Sequence, residues 1–209
     1  MGKIKVKICG ITNLEDAKQA VDLGADILGF VFARSPRQIT PQKAKAIIKN
    51  LPPFVIRVGV FVNEKLENIE KIVNFCRLNL VQLHGEESPD FCKKVRKFVG
   101  VIKAFRMRSA LELKKMLNYD VDAYLLDSFV TGVYGGTGKT FDWGLAIKAK
   151  RILNKRPLIL SGGLNPENIA QAIKKVRPYA VDTSSGVEKF PGKKDKVLLK
   201  RYFRKLFLP

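Results

Sequence analysis

No stretch of this 209-residue chain stays apolar long enough to span a bilayer, which excludes a transmembrane helix. The start, Met1-Gly2-Lys3-Ile4-Lys5-Val6-Lys7, alternates charged and apolar residues where a signal peptide needs an unbroken apolar run, and Val6 spoils a myristoylation signal. Cysteine is scarce. Cys9, Cys76 and Cys92 are odd in number and none stands in a Cys-x-x-Cys pair, so neither a disulfide framework nor a zinc site is indicated. The expected setting is cytoplasmic, without metal or cofactor. Acidic residues are few: 19 Asp and Glu stand against 39 Lys and Arg, a net charge of +20 that attracts anionic partners. The basic residues do not gather on one recognition element. Lys43, Lys45, Lys49, Lys93, Lys94, Lys97, Lys148, Lys150, Arg151, Lys174 and Lys175 alternate with apolar positions, which predicts solvated helix faces rather than a nucleic-acid interface. Only five Gln beside abundant Lys lean the composition toward a thermophilic source. Linkers and low-complexity segments are absent.

What is present is a rhythm. Short β-rich runs at 4–8, 27–32, 55–62, 80–83, 101–105, 123–126, 157–160 and 180–182 alternate with amphipathic segments near 14–24, 41–50, 65–77, 88–98, 109–117, 143–154, 166–176 and 194–207. Helix starts carry capping residues: Asn13, Thr40-Pro41, Ser88-Pro89 and Asn165-Pro166-Glu167. Eight strand-helix units imply a closed (β/α)8 TIM barrel in one domain over residues 1–209, with an open doubly wound sheet as the other arrangement.

In a barrel the chemistry collects where strands leave at their carboxyl ends. Those exits are polar here: Cys9-Gly10, Arg34-Ser35-Pro36-Arg37, Asn63, His84-Gly85, Asp127-Ser128, Ser161-Gly162-Gly163 and Asp182-Thr183-Ser184-Ser185-Gly186. The Cys9 thiol and the Asp127 carboxyl make a general base and a general acid if their strands share the barrel. Read singly, Cys9 is a small buried apolar residue and Asp127 a turn cap. The Gly and Ser loops after strands seven and eight stand where such barrels hold a phosphate on backbone N–H groups, so Gly162, Gly163, Ser184, Ser185 and Gly186 are the candidate phosphate site. Gly138-Lys139-Thr140 resembles the end of a Walker A loop, but the pattern needs Gly where the chain has Val133. Gly135-Gly136-Thr137-Gly138 reads instead as a flexible lid or a plain loop.

Lys7-Ile8-Cys9-Gly10-Ile11-Thr12, Gly29-Phe30-Val31-Phe32, Val58-Gly59-Val60-Phe61-Val62-Asn63, Val81-Gln82-Leu83-His84-Gly85, Leu125-Leu126-Asp127, Gly135-Gly136-Thr137-Gly138, Leu160-Ser161-Gly162-Gly163-Leu164 and Asp182-Thr183-Ser184-Ser185-Gly186-Val187-Glu188 occur in this order along the chain. Together they resemble the phosphoribosylanthranilate isomerases of tryptophan biosynthesis. The resemblance implies a cofactor-free (β/α)8 barrel that carries out an Amadori rearrangement of N-(5-phosphoribosyl)anthranilate. It implies Cys9 as base, Asp127 as acid, Arg37 on the anthranilate carboxylate, and His84 and Asp182 near substrate. The Arg34–Arg37 turn leaves Arg34 as a substitute for Arg37.

The chemistry fits those residues. Opening a ribosylamine ring needs a proton on the ring oxygen, from Asp127, and removing the C2 proton then needs the Cys9 thiolate. A thiolate needs positive charge nearby, either the cationic imine or a neighbouring lysine. Lys7 lies two residues before Cys9 and so points to the same side of its strand, and Asp182 is the candidate partner for its charge. Asp182 is equally readable as a buried hydrogen-bonding residue. His84 reads as structural or pocket-lining, and Cys76 and Cys92 as packed thiols. Other phosphosugar barrels of tryptophan or histidine biosynthesis would share the phosphate loops, but they use lysine and glutamate or paired aspartates where this chain has Cys9 and Asp127. A basic nucleic-acid-binding module is the non-enzymatic alternative.

Leu51-Pro52-Pro53-Phe54 lies between the second helix and the third strand, on the face away from the expected site. A rigid turn presenting Phe54 is favourable only if the ring plugs its own barrel floor or enters a partner, and the second reading predicts a homodimer.

Overall fold

The computed structural model describes residues 4–107, 111–128 and 143–207. Strands β1 (Lys5–Cys9), β2 (Ile27–Val31), β3 (Ile56–Phe61), β4 (Leu80–Leu83), β5 (Gly100–Met107), β6 (Ala123–Ser128), β7 (Leu158–Leu160) and β8 (Ala180–Thr183) form a closed barrel in chain order. Every neighbouring pair is parallel, and β1 closes the ring on β8. Helices α1 (Leu14–Asp22), α2 (Pro41–Ile48), α3 (Leu66–Cys76), α4 (Pro89–Arg96), α5 (Leu111–Met116), α6 (Trp143–Leu153), α7 (Ile169–Val176) and α8 (Lys196–Phe207) follow the strands in turn. The expected (β/α)8 barrel is therefore the fold, and the open sheet is not.

Two apolar layers set the direction of each side chain. Ile27, Val58, Ile102, Ala104, Leu125, Ile159 and Ala180 fill the barrel interior, while Val6, Ile8, Leu28, Phe30 and their counterparts pack outward under the helices. Because strand side chains alternate, Lys7 and Cys9 point inward between the outward Val6 and Ile8. The register sets Lys7 opposite Asp182 and Arg106 opposite Asp127, so the order of the sheet alone brings charged partners together.

Three predicted caps form. Asn13 accepts from Asp16 N at 2.9 Å, Thr40 from Lys43 N at 3.3 Å and Ser88 from Phe91 N at 3.2 Å. Each is worth about 1 kcal/mol against alanine. Asn165 differs from expectation: its Oδ1 accepts from Glu167 N and Asn168 N, but residues 166–168 form a turn and α7 begins at Ile169. Sequence reading also missed an antiparallel hairpin, β9 (Glu188–Phe190) with β10 (Lys193–Lys194), which delays α8 to Lys196. Lysines expected on solvated helix faces, among them Lys43, Lys93, Lys94, Lys148 and Lys174, are exposed beside buried apolar neighbours. Cys76 and Cys92 are buried within α3 and α4, as expected. Among the described residues, no helix is long and apolar enough to cross a membrane. Phe54 is 94% exposed, so its ring does not fold under its own barrel. The glycine-rich 135–138 segment and the Gly138-Lys139-Thr140 run lie outside the described residues.

Candidate active site

One cavity opens at the carboxyl ends of the strands, and every residue singled out above lines it: Cys9, Arg37, His84, Asp127 and Asp182, with Gly162, Gly163, Ser184, Ser185 and Gly186. Cys9 ends β1 and Asp127 is the penultimate residue of β6, so both sit on rigid strand rather than loop. Arg34 lines the same wall as Arg37.

The thiol rests on a buried ion pair. Lys7 Nζ lies 2.9 Å from Asp182 Oδ1, and Ser161 Oγ donates to Asp182 Oδ2 at 3.1 Å. Burial alone would discharge Lys7, but Asp182 and then Cys9 reverse that and the ammonium is pushed up to about 12. Burial likewise pushes the Cys9 thiol up; Lys7 and Lys194 pull against this, while Asp182 adds to it. The surroundings of the free thiol thus favour its protonated form, through burial first, and the Lys7 charge expected to ionise it is shared with Asp182. Gly29, its Cα partner on β2, leaves the space this arrangement needs. A Cβ there would meet Cys9 Sγ at 2.7 Å and Lys7 Nζ at 3.2 Å.

Across the cavity, His84 Nε2 lies 3.2 Å from Asp127 Oδ2, and His84 Nδ1 lies 2.7 Å from Gln82 Nε2. The ring expected to be structural or pocket-lining thus holds the acid. Arg37 is anchored on the missed hairpin: its Nε donates to both Glu188 oxygens at 2.9 and 3.0 Å and its Nη2 to Oε2 at 2.6 Å. One edge of the fork expected to take a carboxylate is therefore already occupied. Lys194, with no exposed side chain, donates to Glu188 Oε1 at 2.8 Å, Cys9 O at 2.6 Å and Ser184 O at 3.2 Å. It ties the exits of β1 and β8 to the same carboxylate.

The two glycine loops expected to hold a phosphate have backbone that side chains would obstruct. Gly162 and Gly163 both have positive φ, +84° and +70°, a conformation that side-chain-bearing residues avoid. A Cβ on Gly186 would stand 2.0 Å from Leu164 O. Thr183 Oγ1 donates to Leu164 O at 2.6 Å and Asn168 Nδ2 to Gly163 O at 2.9 Å, bracing the loops from behind. Ser184 Oγ is buried with no hydrogen-bond partner.

A family profile for N-(5′-phosphoribosyl)anthranilate (PRA) isomerase matches residues 6–205. The chain belongs to this family. The N-(5′-phosphoribosyl)anthranilate isomerase of Pelobacter propionicus is 54% identical over 202 residues, which cover 96% of this chain and 94% of that protein. Among solved structures, the mutually generated monomers of dimeric phosphoribosylanthranilate isomerase from Thermotoga maritima superpose with a TM-score of 0.87 at 47% identity, covering 97% of this chain and 98% of that one. A phosphoribosyl anthranilate isomerase in complex with reduced 1-(o-carboxyphenylamino)-1-deoxyribulose 5-phosphate superposes at 0.88 with 48% identity and the same coverage.

The site also draws on Gly29, Gln82 and Ser161, which stand in the resembling runs but were given no individual role, and on Lys194, which lies outside them. Gln82 was within reach of the pattern, since it stands two residues before His84 on one strand and so shares its side. Lys194 was not, because nothing marked the 188–194 segment as a hairpin.

Proposed function

We infer that this protein isomerises N-(5-phosphoribosyl)anthranilate to 1-(2-carboxyphenylamino)-1-deoxyribulose 5-phosphate, a step of tryptophan biosynthesis. The observation that carries the reading is the placement of Cys9 and Asp127 on the rims of β1 and β6, in one cavity with an arginine and two glycine loops.

The substrate enters as a ring-closed ribosylamine with an anion at each end. The loops at Gly162–Gly163 and Ser184–Gly186 hold the phosphate on backbone N–H groups. The donors of Arg37 not engaged by Glu188 take the anthranilate carboxylate, beside Arg34. Asp127 gives its proton to the ring oxygen as the C1–O bond breaks, leaving a C4 hydroxyl and a protonated imine at C1. That cation beside Cys9 favours the thiolate that burial disfavours; the thiol gives its proton to solvent, and the thiolate then removes the C2 proton. The electron pair of the broken C–H bond moves into the C1–C2 bond and neutralises the nitrogen. The resulting enolamine tautomerises to the amino ketone. Asp182 serves the thiol by holding Lys7, and its place on the cavity wall also brings it within range of a sugar hydroxyl.

Two further statements accompany this reading. The setting is cytoplasmic, consistent with three cysteines that are all free thiols. The protein is a homodimer through the Pro52-Pro53-Phe54 turn, where an aromatic ring stands in water on the face opposite the site. Turnover of freshly generated phosphoribosylanthranilate by the purified protein tests the main reading. Accumulation of the amino ketose supports it, and an unchanged substrate refutes it.

A further inference from the structure

The reaction above leaves the enzyme altered: Asp127 has lost a proton, while Cys9 ends as the thiol it began as. Before the next turnover Asp127 must be reloaded, and the geometry around His84 bears on how. His84 Nε2 faces Asp127 Oδ2 at 3.2 Å, and Nδ1 faces the amide of Gln82 at 2.7 Å. Gln82 is 1% exposed, and its Oε1 is buried with no hydrogen-bond partner among the described residues. A side-chain amide is a donor at one end and an acceptor at the other. A carboxylate behind His84 would hold Nδ1 protonated, whereas a glutamine admits both states by turning over.

We propose that Gln82, His84 and Asp127 form a proton-sharing relay in which His84 is a positioning residue that reloads the acid and Gln82 is its reversible partner. The proposal rests on the isomerase reading. In the spent state Asp127 is a carboxylate, His84 is neutral with its proton on Nε2 donated to Asp127, and the Gln82 amide donates to Nδ1. The heavy-atom distances at His84, 2.7 Å to the Gln82 amide nitrogen and 3.2 Å to Asp127 Oδ2, fit this arrangement. When a proton arrives from solvent at Nδ1, the amide turns and Oε1 accepts from Nδ1–H. The loaded pair then exists in two forms that differ only by movement of one proton along the Nε2–Oδ2 hydrogen bond: imidazolium with carboxylate, or neutral imidazole with carboxylic acid. The second form delivers the proton to the ring oxygen and leaves His84 neutral with its remaining proton on Nδ1; release of that proton to solvent, uptake of one at Nε2 and return of the amide restore the spent state. Imidazole is suited to this because each ring nitrogen can carry or accept a proton. Among the described residues, the other charged or titratable groups around His84 are Arg106 on β5, whose Nη2 donates to His84 O at 3.2 Å, Glu86, Lys103, Glu112, Lys115 and Tyr119 in the neighbouring cavity that His84 also lines, and Cys9, Arg34, Arg37 and Asp182 in the main cavity.

The chain has a single histidine, so nitrogen-15 NMR of the imidazole reports His84 without overlap. The relay predicts a proton on Nε2 alone at high pH and on both nitrogens at lower pH, with kcat/KM declining over the pH interval in which the imidazolium is lost. Gln82→Met keeps the length of the side chain while removing donor and acceptor. It should lower kcat by roughly ten- to a hundredfold, less than loss of a proton-transfer group itself, with little change in KM. Gln82→Glu should carry both the imidazole titration and the decline of kcat/KM to higher pH, by about one unit. A proton on Nδ1 throughout the pH range, or a rate profile unmoved in Gln82→Glu, overturns the relay. A wild type that does not turn over phosphoribosylanthranilate removes the assigned reaction instead, while the spectra still decide the hydrogen bonds at His84.

Discussion

Arg37 and Glu188 meet edge to edge, 151 residues apart in sequence, with three N–H···O contacts between 2.6 and 3.0 Å. A long, flexible arginine is thereby fixed before any ligand arrives, and its Cδ packs where a Cβ on Gly10 would stand 2.7 Å away. Binding a carboxylate then costs less side-chain entropy than it would for a free arginine. Arg37→Ala should chiefly raise KM. Glu188→Gln should raise it too, by weakening the clamp while keeping Arg37 in place. Steady-state kinetics decide this, and an unchanged KM in Arg37→Ala would move the carboxylate contact to Arg34. The clamp also has a pH signature. Burial would raise the Glu188 carboxyl, but Arg37 and Lys194 prevail and hold it below the ordinary 4.5. A carboxyl lowered in the folded state stabilises the fold above its unfolded value, and that stability is lost as pH falls through the lowered one. Melting temperature should therefore fall more steeply below about pH 4.5 in wild type than in Glu188→Gln.

Cys9→Ala and Asp127→Asn should each lower kcat by orders of magnitude, about 10²–10⁴-fold, because each removes a proton-transfer group. KM should move little, since neither group holds the substrate's anionic ends. Near-normal turnover in either variant would refute the role assigned to it. Because burial raises the Cys9 thiol, alkylation of the free protein at this residue should be slow at neutral pH and accelerate as pH rises.

Gly29 is a position where the site can be disturbed without replacing a reacting group. In Gly29→Ala the new methyl would crowd Cys9 Sγ at 2.7 Å and Lys7 Nζ at 3.2 Å, so the thiol must shift. A displacement of this kind near the reacting atoms lowers turnover by about ten- to a hundredfold. Kinetics beside a circular-dichroism melt separate this from unfolding, and normal kcat in a folded Gly29→Ala protein would show that the thiol has slack.

Phosphate or sulfate should compete with substrate at the paired glycine loops. Gly186→Ala places a Cβ 2.0 Å from Leu164 O, so the loop must open, raising both KM and the inhibition constant for phosphate. A crystal soaked in either anion provides the direct check: density at Gly162, Gly163 and Ser184–Gly186 is expected, and empty loops with anions elsewhere would displace the site.

Much of this was legible in the order of residues. Strand–helix alternation is a local signal repeated eight times, and once a barrel is inferred, the strand exits gather the site without any distance being known. Lys7 with Asp182 was legible for a related reason: strand alternation turns Lys7 inward beside Cys9, and β8 closes on β1. The Arg37–Glu188–Lys194 clamp was not. It depends on a two-residue strand, Lys193–Lys194, whose charged residues carry no strand pattern and read as the start of α8. The occupied edge of Arg37 and the Gln82–His84–Asp127 chain are matters of side-chain rotamer and distance, which sequence spacing does not encode. Phe54 shows the same limit from the other side. Its turn was legible, but whether the ring lay inside or outside depended on packing.

With the ring outside and 94% exposed, the dimer becomes a sharper prediction. A phenylalanine at the tip of a Pro-Pro turn loses little conformational freedom on docking, because the prolines already restrict the backbone. Burying such a ring is worth roughly 1.5–3 kcal/mol, and two-fold symmetry applies that twice per dimer. The turn joins α2 to β3 at the amino-terminal end of the barrel, so docking there leaves both active-site mouths open. Sedimentation of the wild type at micromolar concentration should give a dimer. Phe54→Asp should give a monomer that keeps its turnover and melts at lower temperature, since dissociation removes the stabilisation that association lends each subunit. A monomeric wild type would sink the assignment, and a dimeric Phe54→Asp would move the interface to another face.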